Sequence, residues 1–335
     1  MNEPSNRRHF IKQSSWVTAG VIGMNLPGVQ SGSIQAQGQA VPTQAKSEVQ
    51  LLPQGKLGSL SVSRLMMGAN MISGWGHYRD LLFVGKLARA YNTEAKVFDT
   101  LELAEVKGIN TILLNHSQLS IIRKYRQERK GSIQAIAGIE PTIDIAKTWD
   151  HIQNALEDAA AVYIDGVYGD TLVRDGQFDV IQRTFEQVRK SGRLAGIGSH
   201  SLMVPKACES RGLEPDFYVK TFHSDDYWSA TPKEKRKDYC WYSEWSKDHG
   251  EFHDNMWCLE PEETAIFMGQ VKKPWIAFKV LAAGVIHSRS GFTYAFEKGA
   301  DFIAVGMYDF EIAENVTIAR NAINSNSTRS RPWRA

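Results

Sequence analysis

The sequence lacks an excess of charge of either sign and lacks a long uninterrupted apolar run. It holds 39 Lys and Arg against 37 Asp and Glu, and the two classes are equal in number once residues 1–40 are set aside. Because no basic stripe is present, long-range attraction to nucleic acid or anionic lipid is not expected. The apolar stretch from Trp16 to Leu26 contains Gly20, Gly23 and Asn25, so it is too short and too broken to span a bilayer.

The N-terminal residues resemble an export signal. The run Asn6-Arg7-Arg8-His9-Phe10-Ile11-Lys12 is similar to the twin-arginine motif, and Gly38-Gln39-Ala40 offers a small-x-small cleavage site. We therefore predict a twin-arginine signal peptide at 1–40, with the twin-arginine export machinery as a partner. The predicted location is periplasmic or secreted, after export in the folded state. Around a barrel domain at 56–325, residues 41–55 are predicted to be a linker and 326–335 a tail.

Cysteine is also scarce, with three residues in the chain. Cys208 falls in a helical pattern and is predicted to be an inert core thiol. Cys240 and Cys258 bracket one long loop and would meet an oxidising compartment after export. Because the sequence does not supply the geometry of a disulfide, a Cys240–Cys258 bridge and two free thiols both stay open.

Short apolar runs alternate with helical patterns eight times, over about 290 residues, which suits one barrel domain. Strict alternation predicts a parallel sheet, and eight repeats predict its closure into an α/β fold of the (β/α)8 or TIM-barrel type. An open doubly wound sheet is the alternative, but no Gly-x-Gly-x-x-Gly follows the first strand. The predicted strands are Arg64–Asn70, Asn110–Leu114, Ile133–Ile139, Ala161–Asp165, Leu194–Gly198, Asp216–Phe222, Trp275–Val280 and Phe302–Val305.

Seven of the nine histidines fall in segments that follow a predicted strand. In such a barrel, these segments form the face that carries the active site. Imidazole and carboxylate ligands suit a divalent Zn, Mn, Co or Fe ion, although no close spacing such as His-x-x-x-His is present. The predicted metal ligands are His116, Glu140, His200 and His223, and the pattern leaves open whether His116 or Asn115 faces the cavity.

Lys279 lies in the apolar run Ile-Ala-Phe-Lys-Val-Leu of the seventh predicted strand. Its side chain either extends outward between helices or points into the barrel mouth. If it points inward, desolvation would lower its pKa. It could then serve as a base, a Schiff-base nucleophile or a cation that stabilises an enolate. We predict catalytic roles for Lys279, His223 and Glu140.

A long insertion rich in aromatic residues follows the sixth predicted strand, at 227–259. A loop of this length inside a compact domain is usually functional, as a lid or a binding wall. Aromatic faces suit stacking on sugar rings, and the predicted substrate and lid residues are Trp228, Trp241, His253 and Asp254. An oligomer interface, or a plug that fills the barrel mouth, is the alternative.

The segments around the fourth and fifth predicted strands resemble aldo/keto reductases. The resemblance rests on Tyr163-Ile164-Asp165, on Lys190-Ser-Gly-Arg-Leu-Ala-Gly-Ile-Gly-Ser-His200 and on the Val-Gly-Met…Glu-Asn-Val run at 305–316. It implies a (β/α)8 barrel whose relatives bind a nicotinamide cofactor and reduce carbonyl groups. Gly306 and Asn315 would then contact the cofactor, and the acidic residues nearby favour NAD over NADP.

The catalytic residues of that superfamily do not carry over to this chain. Thr111-Ile-Leu-Leu-Asn-His116 stands where members place an Asp and then a Tyr, and Glu140 stands roughly where they place a Lys. A reductase of this type needs a proton donor with a tuned pKa, and that set is absent. The chain is also similar to exported barrel proteins of unassigned function, which adds a location but no reaction.

These observations lead to three hypotheses. The first is a metal-dependent isomerase, epimerase or lyase that acts on a sugar-like hydroxy-carbonyl substrate, with Lys279 as the base or the enolate-stabilising cation. The second is an NAD(P)-dependent oxidoreductase with a rearranged proton donor. The third is a carbohydrate-binding barrel without catalysis. Oligomer formation is compatible with each of them.

Overall fold

The structure is a computed structural model, and it describes residues 52–79, 81–239, 253, 257–326 and 329–335. Eight parallel strands form a closed barrel in the order β10-β3-β4-β5-β6-β7-β8-β9. The predicted α/β barrel is therefore confirmed. Its strands are β3 (Leu65–Gly68), β4 (Thr111–Asn115), β5 (Gln134–Ile139), β6 (Ala159–Ile164), β7 (Leu194–Ser199), β8 (Phe217–Thr221), β9 (Trp275–Phe278) and β10 (Phe302–Val305).

A short antiparallel hairpin precedes the barrel and consists of β1 (Gln54–Leu57) and β2 (Leu60–Ser63). Leu57 and Val62 of the hairpin are buried in the same apolar cluster as the inward side chains of the barrel. The strand β1 begins two residues before the predicted start of the domain at 56. A four-residue strand with one buried face gives too short an alternation to distinguish it from a linker.

Helices follow the barrel strands as the alternation predicts. Among the described residues, no helix is long and apolar enough to cross a membrane. The helices are α1 (Leu82–Tyr91), α2 (Glu94–Val106), α3 (Leu119–Arg129), α4 (Ile145–Asp158), α5 (Gly166–Arg174), α6 (Phe178–Lys190), α7 (Met203–Arg211), α8 (Pro261–Gln270), α9 (Ser288–Glu297) and α10 (Asp309–Ser325).

Local signals at the helix ends explain why several bounds agree with the sequence. Thr93 caps α2 by accepting a hydrogen bond from the backbone N–H of Lys96, and Gly108 ends the same segment at φ +91°. Helix α1 was not predicted. It exposes Phe83 and Leu87 rather than burying them, so its apolar residues do not mark a core-facing side.

Alternation along the strands divides the core into two layers. One face of each strand packs under the helices, and the other fills the barrel interior with side chains such as Met66, Ile136 and Phe302. Glycine makes room for a large interior side chain, because a Cβ at Gly196 would lie 2.5 Å from the Phe217 ring. Side chains that continue the interior face past the strand ends therefore lie at the barrel mouth.

The end of the chain is fixed to the start of β10 by buried charge. Asp301 is fully buried, and its carboxylate oxygens lie 2.9 Å from the Arg329 guanidinium and 2.7 Å from that of Arg331. Arg64 donates to the carbonyl oxygens of Asp301 and Ala335. The predicted tail at 326–335 thus packs against the barrel through residues 329–335.

The substitution Asp301→Asn is expected to lower the free energy of unfolding by about 3–5 kcal/mol, because it leaves two buried guanidinium groups without their carboxylate. Urea unfolding followed by circular dichroism measures the loss. The matched control is Asp179→Asn, which removes an exposed ion pair with Arg183 one helical turn away. The unfolding midpoint of this variant should not move, because exposed ion pairs contribute little to stability. Equal effects of the two substitutions would contradict the account.

Candidate functional site

Lys279 follows directly after β9, where the backbone leaves the strand in a strained conformation. Its φ is +56°, and Ala282 and Ala283 also have positive φ, at +44° and +56°. Each such residue costs energy in an L-amino acid, and backbone strain of this kind clusters at functional sites. Arg79 supports the turn by donating to the carbonyl oxygens of Ala282 and Ala283 at 2.7 and 2.9 Å.

The side chain of Lys279 meets three rings at the barrel mouth. Its Nζ lies 2.7 Å from Nε2 of His77, in the segment after β3. The same Nζ lies 4.6 Å from the ring centroid of Trp257 and 5.9 Å from that of Phe278. Lys279 therefore points into the mouth, which is one of the two orientations that the sequence left open. The residue as a whole is half-buried.

Burial sets the charge of this pair. Desolvation lowers the pKa of the Lys279 ammonium to about 7, although the negative charge of Asp165 opposes the shift. Desolvation and then the positive charge of Lys279 lower the pKa of His77 to about 3. The imidazole is thus neutral near pH 7, and the amine is close to the midpoint of its titration. A group at its midpoint can both take up and release a proton.

Two carboxyl groups lie at the inward positions after β5 and β6. Glu140 accepts hydrogen bonds from Nδ2 of Asn115 at 3.0 Å and from the Tyr168 hydroxyl at 3.1 Å. Asp165 lies one strand further, and burial raises its pKa to about 6. The charges of Glu140, Asp165 and Lys279 interact, so the mouth contains two acids beside one amine.

The structure places Asn115, rather than His116, beside Glu140. Alternation along β4 brings the side chain of Asn115 to the interior face, and His116 begins the short 3₁₀ turn that follows. The His116 ring lies 4.5 Å from the His151 ring. Burial is the main cause that lowers the pKa of His116.

His200 forms a buried pair with Asp170 of α5. Its Nδ1 lies 2.9 Å from the carboxylate, and the backbone N–H groups of His200 and Ser201 donate to the same side chain. Burial lowers the pKa of His200, whereas Asp170 raises it. The carboxylate therefore fixes the ring orientation at the end of β7.

The described contacts of His223 are those of a structural residue. Its Nδ1 lies 2.8 Å from the carbonyl oxygen of Ser224, and its Nε2 accepts the backbone N–H of Cys258 at 3.1 Å. Thr221 donates to the carbonyl oxygen of Trp257 at 2.7 Å. Both contacts hold Trp257 over the mouth. The catalytic and metal roles predicted for His223 stay predictions, with both ring nitrogens already in contact with the backbone.

A divalent ion does not fit the donor atoms as they are arranged. In the part of the chain that the structure describes, no group of three His, Cys, Asp or Glu side chains could hold a metal ion. Glu140, His200 and His223 follow three different strands, and each is occupied by other partners. The divalent-metal site therefore stays a prediction.

The predicted lid is described only in part. Trp228 is 78% exposed, and His253 is half-buried. Trp241 and Asp254 lie outside the described residues, so the substrate-binding role of the insertion stays a prediction.

The cysteines that the structure describes are buried thiols. Cys208 is a core residue, and burial raises the pKa of its thiol to about 12, as expected for an inert group. Cys258 is also a free, buried thiol, and its Sγ lies 3.9 Å from Oγ1 of Thr264. Cys240 lies outside the described residues. The choice between a Cys240–Cys258 disulfide and two free thiols therefore stays open.

The two residues predicted to contact a nicotinamide lie directly after β10 and within α10. Gly306 follows β10, and a Cβ there would meet the Met71 side chain at 2.6 Å. Asn315 is buried within α10, only 4% exposed. Asp309 is paired with Lys96 at 3.0 Å. These contacts do not test whether a nucleotide binds.

Comparisons with known proteins support the fold and do not assign a family. No family model matches the chain, and no curated protein matches it. Two solved structures, each described as a "putative aldo-keto reductase" from Pseudomonas aeruginosa, are similar with TM-scores of 0.55 and 0.53. Each is 16% identical, and each alignment covers 83% of this chain and 100% of the other. The likeness confirms the predicted aldo/keto reductase-like (β/α)8 barrel at the level of the fold.

The structure brings to the mouth several residues that the sequence analysis did not assign to the site. His77 and Asp165 each follow a barrel strand, and this position was the available signal. Asp170 lies a turn inside α5 and had no local signal, whereas Trp257 lies in the aromatic insertion at 227–259 that was predicted to be a lid or binding wall.

Replacing Lys279 should change the titration of His77. The positive charge of Lys279 lowers the pKa of His77, so Lys279→Met is expected to raise that pKa from about 3 toward its usual range. NMR titration of the imidazole carbon signals measures the shift, with Lys298→Met as a control at an exposed lysine. An unchanged His77 titration in Lys279→Met would contradict the contact.

Proposed function

We propose that the protein is an isomerase, epimerase or lyase that acts on a small hydroxy-carbonyl compound through the amine of Lys279. The observation that carries the proposal is the position of Nζ. It lies 2.7 Å from Nε2 of His77 and within 6 Å of the ring centroids of Trp257 and Phe278, on a residue that is half-buried. A desolvated amine that titrates near pH 7 is a nucleophile at that pH, whereas an ordinary lysine is not.

The reaction begins with the neutral amine. Nζ of Lys279 attacks the carbonyl carbon, the carbonyl oxygen leaves as water, and one proton is consumed to give a positively charged iminium. The positive nitrogen draws electrons from the neighbouring carbon, which makes a C–H or C–C bond there easier to break. Hydrolysis of the iminium at the end consumes one water, forms the carbonyl product, releases the proton taken up earlier and frees the amine.

The two carboxyl groups supply the proton transfers. Asp165, whose pKa burial raises to about 6, can donate the proton needed for loss of water and then accept one from the substrate. Glu140 is oriented by Asn115 and Tyr168, so it is placed to accept a hydrogen bond from a substrate hydroxyl. Neutral His77 keeps the amine in position.

The finer predictions stay proposals of different strength. A sugar-like substrate rests on the aromatic residues of the insertion, of which the structure describes Tyr227, Trp228, Tyr239 and Trp257. Periplasmic or secreted location through the twin-arginine route rests on residues 6–12 alone. The metal-dependent version needs a ligand set that the described residues do not bring together, and the NAD alternative is supported by the likeness in fold.

Trapping of a Schiff base tests the proposal. With glycolaldehyde and cyanoborohydride near pH 7, Lys279 should be alkylated faster than the exposed Lys298, by about tenfold or more, because its amine is about half unprotonated. Peptide mass spectrometry locates and quantifies the modification. Its rate should rise with pH through about 7 and then level off. In Asp165→Asn the midpoint should move to lower pH, because the carboxylate raises the pKa of Lys279.

The controls separate the site from general surface reactivity. Lys298→Met should leave the modification of Lys279 unchanged. His77→Ala should weaken it, because the contact that positions the amine is lost. Modification of Lys279 and Lys298 at equal rates near pH 7, or a Lys279 midpoint near the usual value of a lysine, would contradict the proposal.

A further inference from the structure

Nearly half of the exposed large apolar side chains that the structure describes lie on α1, in the segment before it and at the start of α10. Among the described residues, thirteen large apolar side chains are more than a third exposed. Six of them fall in one stretch of sequence and at the start of α10: Trp75, Leu81, Phe83, Leu87, Tyr91 and Phe310. We call these six the α1 patch.

Helix spacing explains why these side chains face outward together. Phe83, Leu87 and Tyr91 stand four residues apart on α1 and form one stripe, whereas Gly85 and Ala88, on other faces of the helix, are buried. Phe83 and Leu87 are 66% and 62% exposed. Apolar residues on an amphipathic helix normally face the core, so this stripe needs another apolar surface.

Contacts on both sides join the stripe to its neighbours. The Tyr91 ring lies 6.2 Å from that of Phe310, which is 70% exposed. On the other side, the segment that carries Trp75 packs on α1, because a Cβ at Gly74 would lie 2.7 Å from Cγ of Arg89. The α1 patch is therefore continuous from the loop after β3 to the start of α10.

The charge of α1 has one sign. Lys86 and Arg89 flank the stripe and are exposed, and residues 82–91 contain no Asp or Glu. In a two-fold contact between copies, the same surface faces itself, so these cations would face cations. Aromatic and aliphatic side chains flanked by Lys and Arg fit the boundary between headgroups and acyl chains.

We propose that the α1 patch docks the barrel on an anionic lipid surface. Phe83, Leu87 and Trp75 enter the headgroup boundary, and Lys86 and Arg89 contact lipid phosphates. The neutral charge of residues 41–335 gives little attraction at long range, so binding depends on this local contact. The segment after β3 carries both Trp75 and His77, so the docked barrel has its mouth beside the lipid headgroups. The proposal does not depend on the reaction at Lys279.

Vesicle binding by the full chain tests the proposal. The vesicles contain phosphatidylcholine with about 30 mol% phosphatidylglycerol, compared with phosphatidylcholine alone. The double substitution Phe83→Glu/Leu87→Glu should lower the partition coefficient by about tenfold or more in a flotation assay. The matched control is Val106→Glu/Ile266→Glu, which adds the same charge at side chains that are 72% and 66% exposed outside the patch. It should stay within about twofold of the unchanged protein.

The remaining outcomes separate lipid binding from its alternatives. Lys86→Gln/Arg89→Gln should remove most of the preference for phosphatidylglycerol and leave circular dichroism unchanged. Equal losses in the two Glu pairs, or no loss in either, would overturn the proposal, because residues outside the patch would then bind the vesicles. Loss of a dimer in sedimentation velocity on Phe83→Glu/Leu87→Glu, without vesicle binding by the unchanged protein, would assign the patch to a second copy.

Discussion

Closure of eight parallel strands is the constraint on which the site depends. A closed barrel divides each strand into an inward and an outward face, and the inward face ends in a ring of side chains at the mouth. Asn115, Glu140, Asp165 and His200 each continue the inward alternation of their strand. Because apolar side chains fill the interior below them, these polar groups meet at one partly dry surface, where burial raises the pKa of Asp165 and lowers that of His200.

Lys279 departs from this rule, and the departure creates the reactive group. In β9 the inward residues are Ile276 and Phe278, so regular alternation would turn the next side chain outward. The left-handed backbone at Lys279 ends the alternation and brings Nζ against His77 and Trp257. Two unfavourable energies therefore fall on Lys279: the strain of its left-handed backbone and the desolvation of its ammonium group. Backbone strain of this kind is common at functional sites.

The sequence predicted most of the fold, because strand–helix alternation is a repeated local signal. Strand bounds agree within a few residues, and β10 agrees at both ends. The pattern could not predict α1, because the apolar face of this helix is exposed. It also could not decide whether Asn115 or His116 faces the cavity, because the end of the strand was uncertain. The sequence pattern left two orientations of the Lys279 side chain open, because the φ angle of this residue decides between them. A metal site was inferred from residue types alone, and the described side chains already have other partners.

The charge of Lys279 tests the account most directly. Heteronuclear NMR titration of its Cε and Nζ signals, assigned by their loss in Lys279→Met, measures the pKa of this amine in the folded protein. The account predicts a midpoint of about 7, set by burial against Trp257 and Phe278. A midpoint near 10.5, the ordinary value for lysine, would mean that the amine stays hydrated and protonated at neutral pH, and would contradict the proposed chemistry.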